Sequence, residues 1–125
     1  VIWNDEGKIE KVVAAHDAGK IMNQTLFEGQ IEGAVHMGIG YALTEDFPME
    51  KGFPVSYKYN DLGIMRAKDM PQVDVIGIEE KDLYGPYGAK GIGEIGLCPT
   101  AGAVANALYT FDGIRRTKLP MQRKK

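Results

Sequence analysis

The segment Gly88-Ala-Lys-Gly-Ile-Gly-Glu-Ile-Gly-Leu-Cys-Pro99 most limits what this chain can become. Four glycines fall within nine residues, so no ordinary helix or strand runs through it. Bare peptide N–H groups ahead of a helix start can meet an anion or a closely approaching ligand. Glu94 stands in the middle of that backbone. Its carboxylate would repel an anion unless it has a task of its own, such as accepting a proton. The plain alternative is a tight turn with a solvated Glu, and composition does not separate the two. Gly91-Ile-Gly93-Glu-Ile-Gly96 spells G-x-G-x-x-G, but it follows a turn and comes too late in the chain for a dinucleotide fold to complete.

At 125 residues the chain is read as one domain, 1–125. A net charge of −2 gives no sign of nucleic-acid binding. The charge is uneven: residues 114–125 carry six basic groups and no acid, leaving nine basic against seventeen acidic groups elsewhere. We read that end as a short edge strand, Ile114–Leu119, followed by a solvated basic tail. The uncharged run Gly33–Thr44 is too short to span a bilayer. Cys98 is the single cysteine, so no intrachain disulfide forms and a reducing, cytoplasmic setting is expected.

The pattern predicts an α/β (α+β) fold with a small mixed sheet and two main helices. Lys8–Ala15 reads as a strand entering the core, followed by a turn at His16–Gly19 with Asp17 as an Asx-type cap. Asn23 or Thr25 caps a helix, with Thr25 and Glu28 at capping-box spacing. Phe27, Ile31, Val35, Gly38 and Ala42 recur at helical spacing to about Asp46. Glycines 29, 33, 38 and 40 are costly there, which calls for close approach of a backbone or a ligand. Phe47–Asn60 reads as a loop, Leu62–Arg66 and Gln72–Glu79 as strands. Pro99 opens a second helix whose stripe is Ala101, Val104, Leu108 and Phe111, stopped by Gly113. His16 and His36 lack partners at metal-ligand spacing and read as structural.

Three motifs share one resemblance. Gly88-Ala-Lys-Gly-Ile-Gly-Glu94 with Leu97-x-Pro99-Thr100 resembles the C-terminal region of the molybdopterin-binding large subunit of xanthine dehydrogenases and aldehyde oxidoreductases, the molybdenum hydroxylases. Phe27-Glu-Gly-Gln30-Ile-Glu-Gly33 through Gly40-Tyr41, and Ala15-His-Asp17-Ala-Gly19 up to Asn23, are similar to two further motifs of that family, as is the closing Arg115–Pro120. The order is right and nearly the whole chain is covered.

The resemblance implies a role for each site residue. Glu94 would be the general base, in hydroxylation of an electron-poor carbon of a purine, another N-heterocycle or an aldehyde, with water as the oxygen source. A carboxylate shielded from water gains proton affinity, which suits that task. Gln30 would hydrogen-bond the pterin, and Gly91, Ile92 and Gly93 would bring backbone close to the molybdenum centre. No metal ligand is implied in this chain. Iron–sulfur clusters, and possibly FAD, would lie on other domains or subunits, because no cluster-type cysteine pattern occurs here. The expected partners are the remainder of the large subunit, the iron–sulfur and FAD subunits, and the small substrate, with no nucleic acid and no membrane. The segment alone is expected to be inactive. Asn23-Gln24 stands where the family usually has Asn-Pro, and Glu94-Ile-Gly-Leu97 where it commonly has Glu-Pro-Pro-Leu, which leaves the substrate open. The competing class is a non-enzymatic α/β module that binds a nucleotide or partner through loop 88–96.

Overall fold

The computed structural model describes residues 1–121. Strand β2 (Ile9–Asp17) is its spine. Alternation places Val12 and Ala14 inward and leaves Val13 and Ala15 on the outer face. Strand β1 (Ile2–Trp3) pairs antiparallel on one side of it, and β5 (Gln72–Ile78) pairs parallel on the other, from Lys11 with Gln72 to Asp17 with Ile78. A parallel pair needs a crossover. Helix α1 (Gln24–Leu43) lies within that crossover, together with a small hairpin of β3 (Met49–Glu50) and β4 (Phe53–Pro54). Helix α2 (Thr100–Asp112) packs against α1.

The core forms where α1 meets the inner face of the sheet and α2. Phe27, Ile31, Val35 and Ile39 of α1 bury against Val12 and Ala14 of β2 and Val104 and Leu108 of α2. Each large side chain here contributes roughly 1.5–3 kcal/mol by leaving water. Leu26, Met37 and Tyr41 of α1 remain exposed, alongside a polar strip of Thr25, Glu28, Glu32 and His36. The outer face of the sheet likewise shows Val13, Ile76 and Ile78.

Of the two expected caps of α1, Asn23 is the one used, its side chain accepting from the Leu26 amide at 3.0 Å. Other boundaries differ from expectation. Helix α1 stops at Leu43, where the Thr44 and Glu45 amides both turn back onto the Gly40 carbonyl. Leu62–Arg66 is not a strand. Gly63 sits at φ 71° with a would-be Cβ only 2.0 Å from the Thr44 carbonyl oxygen, so the chain bends tightly between two 3-10 turns, Tyr59–Asp61 and Ala67–Asp69. Loop 47–60 contains the β3–β4 hairpin, turned by Lys51 and Gly52 at positive φ.

Ile114–Leu119 is not an edge strand either. Asp112 accepts from the Ile114 amide and pairs with Arg116, coiling the chain back on the helix end. The chain then returns to α1, the Met121 amide donating to the Ala42 carbonyl at 2.7 Å. Arg123, Lys124 and Lys125 of the expected basic tail lie outside the described residues. Gly113 ends α2 in the left-handed region as expected.

Candidate functional site

The glycine segment runs from the carboxyl end of β2 across the first turns of α1, and it is fastened at three places. The first is the end of β2. The Asp17 side chain accepts from the Gly19 amide at 2.9 Å, the expected Asx-type turn, and also from the Glu80 amide at 3.2 Å. Its second oxygen takes an ion pair from Lys90. The Lys90 ammonium, then the Gly19 amide, holds the Asp17 carboxyl below the usual carboxylate range. The Asp17 carboxylate in turn raises Lys90.

Backbone bonds reinforce this junction. Lys90 donates its amide to the Ala18 carbonyl, and Lys20 donates to the Gly88 carbonyl, both at 2.9 Å. Gly19 is obligatory: φ is +59° and a Cβ would lie 2.2 Å from the Gly88 oxygen.

The second fastening is Gln30. Its side-chain amide nitrogen donates to the Gly93 carbonyl at 2.7 Å. A carbonyl can face only the NH2 end of the amide, so the orientation is forced and the Gln30 oxygen keeps its acceptor capacity.

The third fastening is Gly96. A Cβ there would come within 2.9 Å of the Ala34 methyl and 3.3 Å of the Ile31 carbonyl. Buried Thr100 donates to the Gly96 carbonyl at 2.6 Å and ties the segment to the start of α2. Ile92 packs against the core and, with Ala18, Phe27, Ala89 and Lys90, borders a cavity of about 260 Å³ at the base of the segment.

Glu94 lies between the second and third fastenings, adjacent to the carbonyl that Gln30 holds. Its residue is exposed in this chain. Its own carbonyl accepts from the Leu97 and Cys98 amides, which coil residues 94–98 into a turn. Around it the surface is bare. A Cβ added at Gly29 or Gly33 of α1, or at Gly91 or Gly93 of the loop, would meet nothing within 4 Å. Gly91 and Gly93 therefore leave the loop backbone uncovered next to Gln30 and Glu94.

The sequence-predicted residues Gln30, Gly91, Ile92, Gly93 and Glu94 thus fall in one corner. The Asp17–Lys90 pair was missed as a pair, although both residues stand in motifs. His16 and His36 are half-buried, and His16 is held below its ordinary pKa by burial. Among the described residues no group of three His, Cys, Asp or Glu side chains could hold a metal. A larger cavity of about 660 Å³, lined by Trp3, Ile9, Ile39, Leu43, Met65 and Met121, sits at the opposite ends of β2 and α1 and includes none of the corner residues.

A family model described as a molybdopterin cofactor-binding domain matches residues 5–71, more than half of the chain. The chain belongs to that family. It is similar to the molybdenum-binding subunit PaoC of an Escherichia coli aldehyde oxidoreductase, 34% identical over 93% of this chain and 16% of the relative. It is also similar to subunit gamma of the 6-hydroxypseudooxynicotine dehydrogenase complex of Paenarthrobacter nicotinovorans, 36% identical over 91% of this chain and 15% of that subunit.

The fold superposes on the crystal structure of the aldehyde oxidoreductase of Desulfovibrio desulfuricans with a TM-score of 0.81 at 32% identity, covering 92% of this chain and 12% of that one. The expected α/β fold with two main helices is the one observed. The domain spans only about one sixth of the length of the curated relatives it matches. No helix among the described residues is long and apolar enough to cross a membrane.

Proposed function

We propose that this domain is one portion of a molybdenum hydroxylase that oxidises an electron-poor carbon of an N-heterocycle or aldehyde, with Glu94 as general base. The observation that carries the reading is the corner itself. Glycines 91 and 93 leave open space where side chains would stand, and Gln30 holds the Gly93 carbonyl beside Glu94. That cradle fits a large, flat, hydrogen-bonding cofactor, since bare amides and one side-chain amide offer both donors and acceptors.

Gln30 and the backbone of Gly91, Ile92 and Gly93 would hold a molybdenum–pterin cofactor. When bound, that group supplies the redox centre that takes two electrons from the substrate carbon. This chain's part is proton chemistry. A Glu94 carboxylate oxygen receives the proton of the water-derived nucleophile as it attacks. Cofactor, substrate and the rest of the subunit would cover the corner and shut bulk water out from around Glu94. The loop fixes where the Glu94 backbone stands, because it is tied on both sides.

Much of the structure suits a piece of a larger body. Leu26, Met37 and Tyr41 on α1 and Val13, Ile76 and Ile78 on the sheet expose apolar surface. We take the remainder of the molybdenum-binding subunit as the main partner, with iron–sulfur and flavin units beyond it to remove electrons. The segment by itself would not turn over.

The test is Glu94→Gln in the full-length subunit with its partner chains. Turnover should fall by about 10²–10⁴-fold while molybdenum and pterin stay bound. Near-normal turnover removes Glu94 from the mechanism. Cofactor extraction separates the classes: pterin with molybdenum supports the hydroxylase, and a tightly held nucleotide without molybdenum supports a binding module.

A further inference from the structure

We infer that the Asp17–Lys90 pair is a positioning clamp that sets the loop carrying Glu94, an inference that rests on the reading of Glu94 as the base. Four observations lead there. The two side chains come from segments 73 positions apart, yet each is more than half shielded, with 35% and 29% of its side chain exposed. Asp17 is saturated on its other oxygen by the Gly19 and Glu80 amides, so it cannot swing toward another partner without losing them. Lys90 is tied a second time, through its own amide, to the Ala18 carbonyl. Finally, Gly19 lets the two backbones approach to a distance that any side chain would forbid.

The loop therefore leaves β2 in a fixed direction. From Lys90, only Gly91 and Ile92 precede Gly93, whose carbonyl Gln30 holds. Glycines 91 and 93 have no side-chain contacts to steady them, so the placement of Glu94 is inherited from its anchors. Gln30 fixes one point, and one point leaves rotation free. Asp17 and Lys90 supply the second point on the amino side, as Gly96 and Thr100 do on the carboxyl side. A general base displaced by about 1 Å can lose on the order of 10²-fold in rate, so such a clamp acts on turnover without touching substrate.

The experiment uses the full-length subunit. Asp17→Asn keeps an oxygen for the Gly19 and Glu80 amides and removes only the charge, whereas Lys90→Met removes the ammonium and keeps the stem. In the cofactor-free subunit, hydrogen exchange of amides 90–97 should speed up by about tenfold in both variants, with amides 31–42 of α1 unchanged. In the loaded enzyme, kcat should fall by about tenfold or more with KM and molybdenum content held. Lys90→Arg should recover most of the loss. Combined with Glu94→Gln, neither variant should lower turnover further, because both act through the same carboxylate.

Unchanged loop exchange overturns the clamp, as does faster loop exchange with unchanged kcat. Exchange that speeds up equally across α1 and β2 reduces the pair to a stability element and also overturns it. If Glu94→Gln turns over normally while the clamp variants do not, the base assignment fails and the two readings are separated.

Discussion

Gly38→Ala tests how tightly the two helices that frame the corner are seated. In an isolated helix this substitution gains about 1 kcal/mol of helix propensity. Here the new methyl carbon would stand 2.5 Å from Thr100 Cβ and 2.7 Å from its Cγ2. Thr100 is only 5% exposed and spends its hydroxyl on Gly96, so it cannot rotate aside freely. Overpacking a close-packed contact costs about 1–3 kcal/mol. Disturbing the buried hydroxyl bond adds about 1 kcal/mol, offsetting the propensity gain. The net expectation is a loss of about 1–3 kcal/mol, or roughly five- to 150-fold in protection.

Native-state hydrogen exchange of α1 and α2 amides in the full-length subunit reads that opening directly. Gly33→Ala is the internal control, because the same methyl in the same helix meets nothing within 4 Å. It should be neutral or stabilising by up to about 1 kcal/mol in the cofactor-free subunit. If Gly38→Ala is as well protected as wild type, or Gly33→Ala is the worse of the two, the packing argument fails.

Three further outcomes follow from the corner. Gly93→Val should leave the cofactor-free subunit within about 0.5 kcal/mol of wild type, since its Cβ faces open space, yet lower the molybdenum recovered on purification; full molybdenum content would mean that nothing approaches that backbone. Gln30→Leu removes the hold on the Gly93 carbonyl and should loosen loop exchange and reduce pterin retention together, and a loss of one without the other would separate its two roles. The folded Asp17 carboxyl has a lower pKa than an unfolded one, so its contribution is present above pH about 4 and fades as pH falls through the lower folded value. Unfolding of the wild type should accordingly show more acid dependence below pH about 4 than unfolding of Asp17→Asn, and superimposable acid limbs would contradict the pairing.

Much of this was readable from local chemistry. The strand ending near Asp17, the capped helix behind Asn23, the alternation of Gln72–Ile78 and the stop at Gly113 all obey short-range rules, and they appear within a few residues of their predicted bounds. The shared location of Gln30 and the glycine loop was legible only through motif resemblance, because 63 positions separate Gln30 from Gly93. What escaped was decided by tertiary contact. Leu62–Arg66 looks apolar enough for a strand, but the crowding of Gly63 against Thr44 forces a bend there. Ile114–Leu119 has β-friendly residues, but the Asp112–Arg116 ion pair folds it back. The Asp17–Lys90 clamp left no signal in either residue alone, since an aspartate in a turn and a lysine in a glycine loop are each ordinary.

The parallel pairing of β2 with β5 also sets an order of events on the ribosome. β2 and α1 leave the ribosome before the strand that seals the edge of β2, and the lysine that meets Asp17 follows that aspartate by 73 codons. A message broken between the codons for Leu43 and Lys90 would encode a product with Gln30 already on its helix and nothing across from it to hold.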